Sequence, residues 1–141
     1  MNSEFTIAVH SLVLLANLPE RMARSEYIAE NVQTHPARIR KVMGFLRREG
    51  FVETREGTRG GYRLIADPVQ VSLGDIYRCI AKGTLSPNWC SGNPEMDCVV
   101  GSNMQEVMNN IFCTAERQLE AHFNGITIAE VLGQIHECQE C

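Results

Sequence analysis

THPARIRKVMGFLRREGFVETREGTRGGYRL, residues 34–64, reads as a helix followed by a turn-rich ribbon. Thr34 is placed to cap the helix, and Pro36 is tolerated in its first turn. Ile39, Val42, Met43 and Leu46 form one apolar stripe, which must face inward. Ala37, Lys41, Gly44 and Arg48 lie opposite, flanked by Arg38 and Arg40. Small residues and cations on an exposed face let a helix sink into a DNA major groove while Arg and Lys reach bases or phosphates. Gly50 closes the helix, and residues 51–55 and 62–64 read as two short strands around a glycine-rich turn. Arg59 at the tip of that ribbon is long enough to enter a minor groove, and glycines around it permit close approach to a phosphate. The plainer alternative is a hairpin with a solvated charged face; the basic helix in front of it favours DNA.

Charge sharpens this reading. Between His35 and Leu64 eight cations face three carboxylates, whereas the whole chain carries a net −4, which leaves −9 outside the segment. An acidic chain with its positive charge gathered in one place has a footprint suited to a polyanion.

At 141 residues and 44% apolar content the chain can bury one core. It contains no apolar run of membrane-spanning length, and its start, MNSEF, lacks the basic-then-apolar pattern of a signal peptide, so a cytoplasmic location is expected. Gly57, Gly60 and Gly61 lack the order of a nucleotide-binding fingerprint. No Ser/His/Asp or paired-carboxylate set recurs at catalytic spacing, and no enzyme is expected.

Around the central segment, residues 4–18 have helical apolar spacing, with Ser3 as cap and Pro19 ending the run. Residues 25–31 form a short helix, and Val32 and Gln33 a tight turn. Ser72 and Asp75 make a capping box for a helix carrying Leu73, Ile76, Tyr77 and Ile80. Residues 82–101 lack periodicity and hold Trp89, Cys90 and Cys98; a loop of that length is functional or disordered. Ser102 and Gln105 are expected to cap a long helix whose stripe comprises Met104, Val107, Met108, Ile111, Phe112, Ala115, Leu119 and Phe123. One helix cannot bury so broad a stripe alone, so a second copy of the chain is the expected partner; the alternative is that the stripe covers the chain's own core. Thr127 and Glu130 box a last helix, with Ile126 stapling against Val131, before a tail containing His136, Cys138 and Cys141.

The wing sequence R55-E-G-T-R-G-G-Y-R-L64, followed by A66-D-P-V-Q-V-S-L-G-D-I-Y-R-C-I80 and a long helix after a cysteine-bearing loop, resembles the Rrf2 family of bacterial transcription regulators across nearly the whole chain. The resemblance implies a homodimer that binds a palindromic operator in double-stranded DNA and represses. It implies a recognition helix starting at Thr34, with His35, Arg38, Arg40 and Lys41 as DNA contacts, and a wing using Arg55, Thr58, Arg59, Gly60 and Tyr62. Family members often carry basic residues at the start of the first helix, where this chain has Asn2, Ser3 and Glu4.

Several members sense through an iron-sulfur cluster on three closely spaced cysteines. Here seven residues separate Cys90 from Cys98, and Cys113 falls inside the long helix, so the chain is closer to the cluster-free branch, without a cofactor. Cys98 then takes the place of a lone loop cysteine, with Cys90 as its resolving partner. A thiol just ahead of a helix start can have its pKa lowered by the dipole, favouring the thiolate, while Glu95 and Asp97 oppose that. Cys79 reads as a small buried hydrophobe. The tail offers metal-ligand spacing but too few ligands for a closed site.

The expected fold is mostly α with a small β-hairpin: a winged helix-turn-helix domain over residues 1–81, a cysteine-bearing sensor loop over 82–101, and a dimerisation helix, final helix and cysteine-containing tail over 102–141. The expected dimer interface uses Met104, Val107, Met108, Ile111, Ala115 and Leu119. The function expected is a homodimeric repressor whose DNA affinity responds to cysteine oxidation. Alternatives are a regulator sensing through a metal or iron-sulfur cluster, and a winged-helix scaffold that binds protein rather than DNA.

Overall fold

The computed structural model describes residues 2–139. The first helix, α1 (Ser3–Asn17), buries Ala8, Leu12 and Leu15 completely and ends as Leu18 turns extended ahead of Pro19. Ser11 is buried on the same face and donates its hydroxyl to Ile7 O at 2.7 Å, so its burial leaves no unmatched polar group. Next come β1 (Met22–Ala23), α2 (Ser25–Val32) and α3 (Pro36–Arg48). The tight turn between α2 and α3 is made by Gln33 in the left-handed conformation, with φ 66°. Ile39, Val42, Met43 and Leu46 are all wholly buried, as the α3 stripe requires.

The ribbon that follows, β2 (Val52–Arg55) and β3 (Gly61–Leu64), is joined by β1 into a three-stranded antiparallel sheet of order β1-β3-β2. The pairs Val52↔Leu64 and Thr54↔Tyr62 share one face with the core; Glu53↔Arg63 and Met22↔Arg63 share the other. The expected hairpin forms, and β1, which the sequence did not announce, adds a third strand at its edge. Gly61 allows the third: its φ is 145°, and a Cβ there would collide with the backbone of Ala23.

Helix α4 (Leu73–Ile80) carries the full capping box, Asp75 N–H to Ser72 Oγ and Ser72 N–H to Asp75 Oδ2, both at 3.0 Å. Helix α5 (Val99–Asn124) begins three residues before the expected Ser102, with Cys98 at its N-cap position. Helix α6 (Ile128–Gln139) returns to pack on α1, and Ile128 enters the core. The start of α6 is tied to that of α4 by Leu73 N–H to Ile126 O at 2.8 Å and Ile128 N–H to Val71 O at 3.0 Å.

An aromatic group fastens α5 to the core. Phe5 stacks on Phe123 at 5.0 Å between ring centroids, and Tyr77 meets Phe5 edge-on at 6.0 Å. Each such pair adds about 0.5–1.5 kcal/mol beyond area burial. No described helix is long and apolar enough to cross a membrane.

Candidate nucleic-acid interface and cysteine-bearing loop

The cap of α3 is His35, correcting the expected Thr34: its Nδ1 accepts from Ala37 N–H at 3.0 Å. Thr34 is half-buried, and its amide closes the preceding turn on Ala29 O. Arg38, Arg40 and Lys41 are exposed, as expected, yet each has an intramolecular partner. Arg38 donates to Ser3 Oγ at 2.6 Å, Arg40 to Ser25 Oγ at 3.5 Å, and Lys41 Nζ to Glu4 Oε1 at 2.8 Å. Sequence reasoning missed Ser3, Glu4 and Ser25 as neighbours of this helix. The signal for the first two was the polar and acidic start of α1.

In the wing, Thr58 and Arg59 are exposed, and Arg59 makes no ion pair among the described residues. Arg55 and Arg63 both approach Glu53 Oε1, at 3.0 and 3.2 Å. Arg63, also missed, joins Arg55, Glu56 and Arg59 around a cleft against Glu20 and Met22. Exposed pairs of this kind are worth about 0.2–1 kcal/mol, less than the two-pronged contact an arginine can make with a phosphate. Gly60 is buried rather than presented outward, and a Cβ on it would collide with the backbone of Arg55 and Gly57, so it closes the wing turn. Tyr62 is half-buried and packs against the core.

The loop ahead of α5 folds back on that helix. Ser91 N–H donates to Gln105 Oε1 at 2.6 Å and Asn93 N–H to Gly101 O at 3.0 Å. Gln105 is therefore occupied by the loop and does not form the expected box with Ser102. Cys98 is exposed, and the amides of Gly101 and Val100 hold its thiol below the ordinary value without making a cap hydrogen bond; Glu95 and Asp97 do not reverse that. Cys90 is exposed with a free thiol. Cys113, in α5, receives a contact from Arg117 Nη2 at 3.8 Å. Cys79 is half-buried, donates to Phe45 O at 3.7 Å, and is pushed up to about 11, chiefly by burial and then by Glu49. In the tail, His136 pairs with Asn17 Oδ1 at 3.0 Å; Cys141 lies outside the described residues.

The α5 stripe divides. Leu119 and Phe123 pack on the chain's own core, while Val99, Val100, Met104, Val107 and Ile111 are 39–73% exposed. Met108 and Phe112 line a pocket with Pro87 and Trp89 of the loop, and Ala115 sits beside Ile111 on the outer surface.

Comparison with known proteins agrees with this architecture. Residues 1–134 match the family described as "Rrf2: Iron-dependent Transcriptional regulator", and the chain belongs to the Rrf2 family. YwnA of Bacillus subtilis (strain 168), which bears the name of an HTH-type transcriptional regulator, is 27% identical over 135 residues, covering 96% of this chain and 98% of that protein. A Lactobacillus plantarum structure described as that of a transcriptional regulator superposes with TM-score 0.83 at 26% identity, over 96% of this chain and 91% of its own. IscR of T. potens shares the fold, with TM-score 0.72 at 22% identity, over 99% and 90%. The chain is thus a transcription regulator of winged-helix fold, of a family whose work is on DNA.

The iron in the family description finds a poor donor set here. An iron-sulfur cluster needs three or four soft ligands converging on one point. Among the described residues no three His, Cys, Asp or Glu side chains gather to hold a metal. Cys113 lies well along α5, and the raised pKa of Cys79 disfavours the thiolate a metal requires.

Proposed function

We propose that the protein is a homodimeric repressor that grips a palindromic operator with α3 and the wing and releases it when Cys98 is oxidised. The observation that carries the DNA reading is the exposed cationic face of α3, with Arg38, Arg40 and Lys41 over a wholly buried apolar stripe, followed directly by a wing that leaves Arg59 unpaired among the described residues. Arg38, Arg40 and Lys41, with His35 near the helix start, face the major groove; Arg59, with Arg55 and Thr58, serves the adjacent minor groove and its phosphates. Thr34, Gly60 and Tyr62 shape these elements rather than touch DNA. Dimerisation is supported by the outward apolar face of α5, built from Met104, Val107, Ile111 and Ala115, since an isolated apolar patch of that extent on a small chain calls for cover. Met108 lines the pocket shared with Trp89, and Leu119 packs on the chain's own core.

The redox step is supported by the exposure and lowered pKa of Cys98. Its thiolate attacks a hydroperoxide; the O–O bond breaks, the leaving oxygen takes a proton, and the sulfur becomes a sulfenic acid. The Cys90 sulfur then displaces that hydroxyl as water, forming a disulfide, so two thiols supply the two electrons that reduce the peroxide. Closing that bond pulls on the loop, which is hydrogen-bonded to the first turns of α5.

Footprinting on the DNA upstream of the protein's own coding sequence, with reduced and oxidised protein, tests the reading. The reduced protein should protect a two-fold symmetric site and lower transcription from it; peroxide should abolish protection, and Cys98→Ser should keep it. Equal release by Cys98→Ser would move the response to another thiol, and absence of any protected site would refute the DNA role.

A further inference from the structure

Among the described residues, Lys41 is the cation of α3 held in an ion pair within 4 Å. Its ammonium lies 2.8 Å from the Glu4 carboxylate, contributed from the first turn of α1, thirty-seven residues away in sequence. The Lys41 side chain is 61% exposed and that of Glu4 only 20%, so the carboxylate is the settled partner and the ammonium the mobile one. Beside them the uncharged Ser3 hydroxyl accepts from Arg38 Nη2, which leaves the charges on the helix intact. Glu4 removes one. The start of α1 therefore acts on the recognition helix by offering a carboxylate in the place a DNA acceptor would occupy.

We propose that Glu4 is a specificity-determining positioning residue: it withholds Lys41 from the phosphates of arbitrary DNA and yields it only to the operator. This rests on the DNA-binding reading above. On arbitrary DNA, α3 is not seated against base edges, and a single phosphate offers Lys41 little more than Glu4 already does, so the ion pair persists and no counterion is displaced by Lys41. On the operator, the seated helix brings acceptors within reach in fixed geometry, the pair opens, and the contact forms at the small expense of an exposed ion pair. The carboxylate thereby lowers non-specific affinity more than specific affinity, widening the ratio that decides occupancy among competing sites.

The test measures equilibrium binding of the full-length Glu4→Gln and wild-type proteins to the operator duplex and to a scrambled duplex of equal length, across a salt series. Glu4→Gln should bind the scrambled duplex roughly three- to eightfold more tightly near ~0.1 M salt, with log K against log[salt] steeper by about one, because one more phosphate contact releases a counterion. On the operator the slope should stay unchanged, and affinity should rise by less than about fivefold, the worth of an exposed pair. In a Lys41→Gln background, Glu4→Gln should leave both slopes alone. Equal steepening on both duplexes, no steepening on either, or an effect that survives Lys41→Gln would each overturn the role of Glu4 while leaving DNA binding standing. A wild-type protein with no salt-dependent affinity for either duplex would sink the DNA reading itself. The pair is on the surface, and melting curves of each variant verify the fold.

Discussion

Gly44 stands in the middle of α3, where glycine costs about 1 kcal/mol relative to alanine, yet a Cβ added to it would meet nothing within 4 Å. The folded chain gives no steric reason for glycine there; the close approach of α3 to DNA proposed above would supply one. Gly44→Ala should raise stability by roughly 0.5–1 kcal/mol in thermal melts and at the same time weaken operator binding severalfold in anisotropy titrations. Unchanged affinity would mean that α3 does not seat closely at this turn. Arg59→Ala should weaken operator binding by roughly 1–3 kcal/mol with no change in melting temperature, because the side chain is exposed and carries no ion pair among the described residues. Wild-type affinity in that variant would remove the wing from the interface. Both residues could be singled out from sequence because local pattern marks them: a glycine inside a helix and an arginine at a turn tip. The pairing of Lys41 with Glu4 could not, because it joins positions thirty-seven apart and depends on how α1 crosses α3.

At the scale of elements, local chemistry again sets what sequence can say. The Ser72–Asp75 box is a three-residue motif, and it forms as read. Ser72→Ala should cost about 1 kcal/mol. Burial opposes ionisation of Asp75, but hydrogen bonds from the Ser72 amide and hydroxyl and the nearby Arg78 outweigh it and hold the carboxyl below its ordinary value. A carboxyl lowered by folding contributes stability that is full above its unfolded pKa, near about 4, and lost as pH falls through the folded value. The gap in melting temperature between wild type and Ser72→Ala should therefore narrow below about pH 4; a constant gap would show that Ser72 acts only as a cap. The Ser102–Gln105 pattern looks the same in sequence and fails, because the amide of Ser91 claims Gln105 from a loop fourteen residues earlier. Strand β1 escaped notice since two residues carry no periodicity. The apolar stripe of α5 was visible, but periodicity reports only that a face is apolar. That Leu119 and Phe123 turn to their own core while Val107 and Ile111 turn away follows from where α4 and α1 place Tyr77 and Phe5.

For the whole molecule the decisive substitution is Ile111→Asp. Ile111 is 54% exposed in the single chain, so a carboxylate there is harmless to the monomer's fold but strongly unfavourable inside an apolar seam. Sizing should show a shift from dimer to monomer, an unchanged melting curve for the monomer's core, and weaker operator binding because two half-sites are no longer engaged together. A dimer that persists would place the interface on another element. The attachment of α5 adds a mechanical consequence. Its C-terminal third is clamped: Glu116 accepts from Tyr77 Oη at 3.0 Å and from Gly83 N–H at 2.7 Å, Glu120 meets Arg78 and Lys82, and Phe123 is stacked on Phe5. The other end runs on from that clamp for about 25 Å, at ~1.5 Å per residue, carrying the loop on its first turns. A tilt of roughly 5° at the fixed end swings the far tip by about 2 Å over such a length. The lever would also run in reverse: a displacement of a few ångströms at the Cys98 end would reach the core as a small torque on Tyr77 and Phe5, and α1, which carries Phe5, is the helix that also holds Lys41 through Glu4.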